Sequence, residues 1–479
     1  MGEAIDQDSF EEQDYLLFGE RIRNQAEELA ALIAKPGFGT GPLTVGTEVE
    51  VSLVDHEAQP ATRNVQIAAE AGAATEVDRF TAEYDTAPVP LMGRPFASIA
   101  QDMRSGLGRL EEAARAHGAQ IVLAGTLPTL SESVLLRPDI MTPEPRYRVM
   151  AAALSRHKFD DEIRIDGPTE TIAATFPGIV AEGANNALQV HLRVPPDNFA
   201  ATLNAAHLVA APILALAANS PFFLERKLWA DNRIPIFAQA VSGWAAPIAE
   251  RRVFLGKDWN RRGAAESFIE DVEHFAPILP VLFDVDPAAD PPALHELRLH
   301  AGTVWRWNRP IYDPSGSGHV RIEFRVLPTG PTIEDMVGNT ALMIGATLAL
   351  AQADVSDRLP FEQVRSNLWA AAQKGLSTDL AWPDVSKGGV VRRSVVDILA
   401  DLLPAAENAL DDAGVATEDI ESAFASVHAR LERQSNGARW QVETVHRLQA
   451  QSSRTEALAQ MLQRMLAYGF DGPSVAEWS

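Results

Sequence analysis

In Thr44-Val-Gly-Thr-Glu-Val-Glu-Val-Ser-Leu-Val-Asp55, two carboxylates stand two residues apart. Alternate residues of a strand face the same way, so Glu48, Glu50 and Ser52 share one face while Val45, Val49, Val51 and Leu53 take the other. Two parallel carboxylates within reach of one ion suit a hard cation such as Mg2+, especially when phosphates complete its shell. A half-buried antiparallel strand with a wet outer face has the same alternation. Recurrence separates the two readings.

The pattern recurs. In Phe80-Thr-Ala-Glu-Tyr-Asp85, Glu83 and Asp85 share a parity, and Glu76 lies seven residues before Glu83. Further on, Gln189, His191 and Arg193 oppose Leu188, Val190, Leu192 and Val194, and Arg321, Glu323 and Arg325 oppose Val320, Ile322, Phe324 and Val326. A solvated sheet face would carry Thr, Ser and Lys. These faces carry Glu, Asp, Gln, His and Arg, with no Lys. Carboxylates suit a metal ion, and guanidiniums clamp planar carboxylate or phosphate through two hydrogen bonds. Four such strands predict a carboxylate-lined metal and anion site.

The chain of 479 residues is 46% hydrophobic and 22% charged, which is ordinary for a globular protein with a large core. With 65 acidic against 41 basic residues its formal charge is −24, a poor match for nucleic acid or an anionic membrane. It has no cysteine, which excludes disulfides, thiolate nucleophiles, iron–sulfur clusters and cysteine-bound zinc. Any metal must sit on Asp, Glu, His or backbone oxygen. The start, Met1-Gly-Glu-Ala-Ile-Asp-Gln-Asp8, lacks the basic and apolar blocks of a signal peptide, and the apolar run 208–218 is too short to span a bilayer and contains Pro212. A cytoplasmic protein is expected.

Helical periodicity predicts helices over 16–33, 96–114 and 203–218, with a loop at 35–42 and a short buried strand at 121–124. Thr332-Ile-Glu-Asp335 has the form of a capping box opening an apolar helix through 350. Beyond 353 the spacing is helical, with a break at Asn436-Gly437, and no strand rich in paired carboxylates is expected. His295-Glu-Leu-Arg-Leu-His300 has its histidines five apart where a zinc-protease helix needs four, and reads as a polar helix surface. Asp313-Pro-Ser-Gly-Ser-Gly-His319 reads as a mobile loop before the Glu323 strand.

Gly46-Thr-Glu-Val-Glu50 resembles the first glutamate motif of the bacterial glutamate-cysteine ligase type 2 family, carboxylate–amine ligases distantly related to glutamine synthetase. Further motifs follow in order. Glu83-Tyr-Asp-Thr86 resembles the second glutamate strand, Gly125-Thr-Leu-Pro128 the Gly-Thr-His-Pro turn, and Arg146-Tyr147 the Arg-Tyr pair. Gln189-Val-His191 resembles the His-Val-His strand, Ala218-Asn-Ser-Pro221 the helix-end motif, and Glu323-Phe-Arg325 the Glu-Ile-Arg strand. The likeness runs from about 43 to 350. Leu127 and Gln189 depart from it, each standing where the family has His.

The resemblance implies an α+β fold, a curved antiparallel sheet funnel flanked by helices as in glutamine synthetase. It divides the chain into an N-terminal helix and loop (1–42), a catalytic core (43–352) and a helical C-terminal extension packed on the core (353–479). It implies Mg2+ (or Mn2+) and ATP, with a carboxylate, best guess the γ-carboxylate of glutamate, activated as an acyl phosphate and passed to an amine, best guess cysteine. Glu48, Glu50, Glu83 and Glu323 are then the expected metal ligands, with Glu76 and His191 in second rank. Gln189 and His191 would face the nucleotide, and Arg325 would stabilise the transferring phosphoryl group, with Glu323 beside it in the catalytic set. Arg226 or Arg233 would hold the carboxylate substrate, with Arg146 and Tyr147 as further contacts. Another acceptor (an amino acid, a polyamine or a natural-product amine) and a non-catalytic nucleotide- or partner-binding homologue are the alternatives. A homo-oligomer is compatible with this reading.

Overall fold

The computed structural model describes residues 10–479 apart from 248–249, 285, 287, 354, 357 and 385–387. The opening segment on which the leader reading rests lies mostly outside the described residues. Five strands build the site: β1 (Thr44–Val54), β2 (Thr81–Asp85), β3 (Ala187–Val194), β4 (Asn308–Asp313) and β5 (His319–Pro328). They are joined antiparallel in the order β4-β5-β3-β1-β2, and short pieces at 74–75, 89–90 and 120–122 extend the curled sheet. The expected curved antiparallel sheet in an α+β protein is therefore present.

The register decides which side chains meet. Glu48 lies opposite Gln189 on β3 and opposite Asp85 on β2. Glu50 faces Glu83, while Glu323 faces His191 on one side and Arg309 on the other. The opposite face is closed by Val45, Val49, Val51, Val190, Leu192, Ile322 and Phe324, all fully buried. Period-two alternation thus gives the sheet one apolar and one polar face.

Helices pack around the sheet, some on its apolar face and some over the cavity. Among them are α1 (Glu12–Ile33), α2 (Pro95–Ala116), α3 (Pro145–His157), α4 (Phe199–Ala217), α5 (Arg233–Ser242), α6 (Ala264–His274), α7 (His295–Gly302), α8 (Ile333–Gln352), α9 (Val395–Asp412), α10 (Thr417–Glu432), α11 (Gly437–Leu448) and α12 (Arg454–Tyr468). The 199–217 helix has the length and composition of a membrane span, yet 89% of its apolar window is buried inside the protein. Gly106 on α2 lies against the ring of Tyr84, where any Cβ would come within 2.1 Å of a ring carbon. That contact, with the Tyr84 hydroxyl donating to Asp102 at 2.6 Å, seats β2 between its two acidic residues.

Residues beyond 353 share the main core. Buried Leu399, Leu402, Ala406, Phe424 and Val427 belong to the same apolar cluster as the sheet. Asp335, whose N–H is capped by the Thr332 hydroxyl at the start of α8, receives the Ser474 hydroxyl at 2.7 Å and the Val475 N–H at 2.9 Å and pairs with buried Arg430 at 3.2 Å. One capping residue therefore also latches the chain end. A hairpin at Asp379–Pro383 and Val390–Ser394 interrupts the helical extension; its short, partly charged strands lack a clean apolar alternation, which is why periodicity missed it.

Two other expectations need correction. Glu296 and His300 on α7 are each only 1% exposed, so this helix is no polar surface. Glu296 accepts from Arg21 at 2.5 Å and Gln25 at 2.6 Å of α1, a partner 271 residues upstream that no local pattern reveals. The 313–319 segment is a hairpin connection between β4 and β5, held by Asp313 accepting from Ser315 N–H at 2.9 Å and Arg321 at 2.8 Å. Its glycines serve a turn, with Gly316 and Gly318 at φ of 63° and 75°.

Candidate functional site

The polar face of the sheet opens into a cavity of about 390 Å3, within the size range of small-ligand sites. Glu48, Glu50, Glu76, Glu83, Gln189, Glu323 and Arg325 all line it. Sequence parity placed all of these but Glu76 on one side of each strand, and antiparallel pairing puts them side by side; Glu76 follows the short 74–75 strand.

One wall is a clamped acid. Glu323 is 2% exposed and accepts a two-pronged pair from Arg309 at 2.7 and 2.9 Å and a third bond from Arg325 at 2.9 Å. Burial opposes its charge, yet Arg309 and Arg325 hold its carboxyl far below the usual range. Gln189 bridges this wall to the next: its amide oxygen accepts from Arg325, and its NH2 donates to Glu50 at 3.0 Å. A glutamine offers donor and acceptor at once, so it fits a position between a cation and an anion. Arg325 Nε is buried with no hydrogen-bond partner, a donor left over for an anionic ligand.

The other wall is acidic and uncompensated. Burial pushes Glu50 up to about 7 despite the nearby Arg233 and the Ala187 N–H that it accepts at 2.6 Å. Glu83, 8% exposed, is pushed well above its usual range by burial and then by Glu76, Glu48, Asp85 and Glu50. Glu76 rises for the same reasons, burial first, then Glu50 and Glu182, with Arg146 opposing. Glu182 itself is pushed up to about 7 by burial and Glu50. One oxygen each from Glu48, Glu83 and Asp85 lie within 4.8 Å of one another. Several carboxylates held together without a cation are a donor set for a hard divalent ion, so these residues fit magnesium.

His191 links the walls. Its Nε2 lies 2.9 Å from Glu48 and 3.9 Å from Glu323, while its Nδ1 accepts from Arg321 at 3.1 Å. Nε2 thus lies at ion-pair distance from Glu48 without a hydrogen bond of its own.

The four arginine and tyrosine candidates separate. Arg146 donates to Thr75 O at 3.2 Å and pairs with Glu144 at 2.9 Å, and the Tyr147 hydroxyl donates to Thr75 O at 2.8 Å, yet both residues line the cavity beside Glu76. Arg233 is neither a surface residue nor part of the cavity lining. It is 3% exposed, donates to the carbonyls of Val326 and Arg325 at 3.2 and 3.3 Å, and lends its charge to Glu50 from below. Arg226 sits exposed on a two-residue strand paired with Phe223, outside the cavity. Three short turns after one helix end offered no periodic signal to tell these two arginines apart.

Reading strand faces without register missed partners. Asp85 was visible by parity with Glu83 but gained a role only opposite Glu48. Arg309, on a strand whose Asn-Arg-Pro-Ile-Tyr-Asp pattern looked unremarkable, and Glu182, on a four-residue helix, had no usable signal. The departures from the family pattern also find an account. Leu127 is fully buried in the second apolar cluster, away from the cavity. Gly125 is required because a Cβ there would meet Pro328 at 2.8 Å and Arg233 at 2.9 Å. Asn219 of the Ala-Asn-Ser-Pro motif is a brace, donating to Leu123 O at 3.1 Å and Thr329 O at 2.8 Å.

Comparison with known proteins agrees with this architecture. Residues 44–463 match the model of glutamate-cysteine ligase family 2, so the match continues well past 350 into the C-terminal helices. A protein of Nocardia farcinica provisionally named glutamate–cysteine ligase 2-1 is 25% identical over 78% of this chain and 82% of its own length. One of the same provisional name from Frankia alni is 29% identical, but the match spans 46% of this chain and only half of that protein. The crystal structure of a glutamate–cysteine ligase from Francisella tularensis in complex with AMP superposes with a TM-score of 0.59 at 12% identity, covering 91% of this chain and 90% of that one, which is a likeness of fold. With its ordered motifs on one curled sheet and a family match over most of its length, the chain belongs to glutamate-cysteine ligase family 2.

Proposed function

We propose that the protein is an ATP-dependent carboxylate–amine ligase that forms a γ-glutamyl amide, with glutamate as the activated acid and an amine, cysteine in the family's name, as acceptor. The observation that carries this reading is one cavity with an acidic wall and an arginine-clamped wall, joined by His191, whose Nε2 lies 2.9 Å from Glu48 and 3.9 Å from Glu323. Such a cavity can hold a cation on one side and anions on the other.

Glu48, Glu50 and Glu83, joined by Asp85 and backed by Glu76, are the groups to hold divalent cations; Glu323 borders the set. Bound there, magnesium supplies charge neutralisation for the phosphates of ATP. Arg325 orients the γ-phosphoryl group through its unpartnered Nε, with Glu323 and Gln189 fixing its guanidinium. A substrate carboxylate oxygen attacks the γ-phosphorus, the bond to the bridging oxygen breaks, and ADP leaves. The amine nitrogen then attacks the acyl carbon, the C–O bond to phosphate breaks, phosphate departs, and the excess proton passes to water. Positioning and electrostatics are the protein's contribution, so no nucleophilic side chain is needed. Arg233 acts here as support for Glu50 in place of the substrate contact first expected, and Arg146 and Tyr147 border the acid's binding place. A cytoplasmic location, a homo-oligomer and the division at residues 42 and 352 belong to the same proposal.

Phosphate release from ATP, measured with glutamate and a panel of amines that includes cysteine, tests the reading. Amine-dependent release lost in Glu48→Gln and Glu323→Gln is the expected result. ATP binding without amine-dependent turnover would instead mark a nucleotide-binding homologue.

A further inference from the structure

Activation of the acid uses the polar walls and leaves a second lobe of the cavity without a task. Two helices start at the acidic wall and run away from it. α3 opens with Arg146 and Tyr147 beside Glu76, and on the same face its next two turns bring Met150 and Leu154 to the cavity. α5 opens at Arg233, whose charge reaches Glu50, and two turns later Val241 lines the same cavity. Phe268 and Leu279 close this lobe, and Leu154, Val241, Phe268 and Leu279 are each no more than 2% exposed. The row from Arg146 to Leu154 is about 12 Å long at 1.5 Å per residue.

Past the far ends of both helices stand two aromatic side chains open to solvent, Phe159 at 52% and Trp244 at 43% exposure. They are tied to each other's segments: Phe159 N–H donates to Ser242 O at 3.2 Å, and the Asp160 carboxylate accepts from Trp244 and Ala245 N–H at 2.9 Å each. Neither ring lines the cavity itself.

The geometry points to an acceptor with an elongated apolar or aromatic body, its amino group at the acidic wall and its body along Met150, Leu154 and Val241. This inference rests on the ligase reading and names its acceptor class. Cysteine, with one methylene and a thiol, spans less than one helical turn and would reach only the start of this row. A longer apolar body removes its own surface from water against the row, a gain that grows with the area buried. The amine nitrogen forms its C–N bond to the acyl carbon as the C–O bond to phosphate breaks, and its extra proton goes to water.

The test uses the full-length protein with ATP, Mg2+ and glutamate. Hydroxylamine, the smallest amine probe, reads activation alone through glutamyl hydroxamate. Cysteine, butylamine and phenethylamine are then compared by mass spectrometry of their amides. The expected result is a kcat/KM for phenethylamine at least tenfold above that for cysteine. Met150→Asn should lower the phenethylamine-to-hydroxylamine ratio about tenfold while the KM for ATP moves less than twofold. Trp244→Ala, a surface change outside the cavity lining, should leave the same ratio within twofold. Hydroxamate formation together with amide formation from cysteine equal to or better than that from phenethylamine overturns the acceptor class alone. A Met150→Asn effect confined to the KM for ATP overturns it too, because the lobe would then hold the nucleotide base. Absence of both hydroxamate and ATP consumption with every amine overturns the ligase reading itself.

Discussion

Glu323 and Glu83 are the same residue type, both nearly buried, on β5 and β2 of one sheet with β3 and β1 between them, and their carboxyls are driven in opposite directions. Glu323 has two guanidiniums bonded to it and stays ionised far below the usual range. Glu83 has four acidic neighbours and is pushed well above it. Burial is common to both; the sign of the neighbours differs. The paired wall is a finished piece of structure, whereas the unpaired wall carries a like-charge strain that a cation, if bound as proposed, would relieve.

The largest expected effect breaks the comparison at its chemical end. Glu83→Gln should lower amine-dependent ATP turnover by about a thousandfold or more, as removal of a ligand from a phosphoryl-transfer site does; turnover within tenfold of the parent would remove Glu83 from the site. Stability should split the other way. Glu323→Gln leaves Arg309 and Arg325 buried with a weakened partner and should cost about 3 kcal/mol in denaturant unfolding, while metal-free Glu83→Gln should stay within about 1 kcal/mol of the parent or gain, since it relieves buried like charge. Equal losses in the two variants would refute the division of the walls.

Cation binding sharpens the same contrast by a smaller amount. Magnesium at a hundredfold excess over its Kd should stabilise the parent by about 2.7 kcal/mol, seen as a rise in melting temperature. Glu83→Gln should lose most of that rise.

The physics of unpaired burial can also be checked away from the cavity. His207 and His300 are buried, and burial pushes them down to about 3 and about 4 from an ordinary 6.5. Their folded forms bind fewer protons than the unfolded chain, so the stability they contribute is fully present above 6.5 and is lost as pH falls toward those values. Each should take away about 2 kcal/mol between pH 6.5 and 4.5, and His207→Gln should flatten the slope of stability against pH. A slope unchanged by the substitution would show that His207 is protonated in the fold. The smallest effect is expected at Arg226, exposed outside the cavity, where Ala should change the KM for glutamate less than twofold.

Much of this was legible from local pattern. The helices at 16–33, 96–114 and 203–218 all appear, each extended or shifted by a few residues at its ends; of the capping box at Thr332 only the side-chain N-cap forms, because the Asp335 carboxylate takes the Thr332 hydroxyl instead of its backbone N–H. Strand parity sorted Glu48, Glu50, Glu83, Gln189, His191, Glu323 and Arg325 onto polar faces because alternation is a property of the chain alone. Arg226 and Arg233 could not be sorted, since an irregular turn has no period. The burial of Glu296 and the latch at Asp335 depend on partners far along the chain, and no window of sequence contains both halves.

The sequence by itself determined which residue types share a face of each strand, that no thiol chemistry is available, and which ordered motifs mark the family. Only the tertiary structure decided that Glu48 lies between Gln189 and Asp85, that Arg309 clamps Glu323, and that Arg233 supports Glu50 from below. The physical reason is that covalent order sets the alternation of side chains along a strand, whereas charge, burial and proton affinity depend on what register and packing bring within a few ångströms.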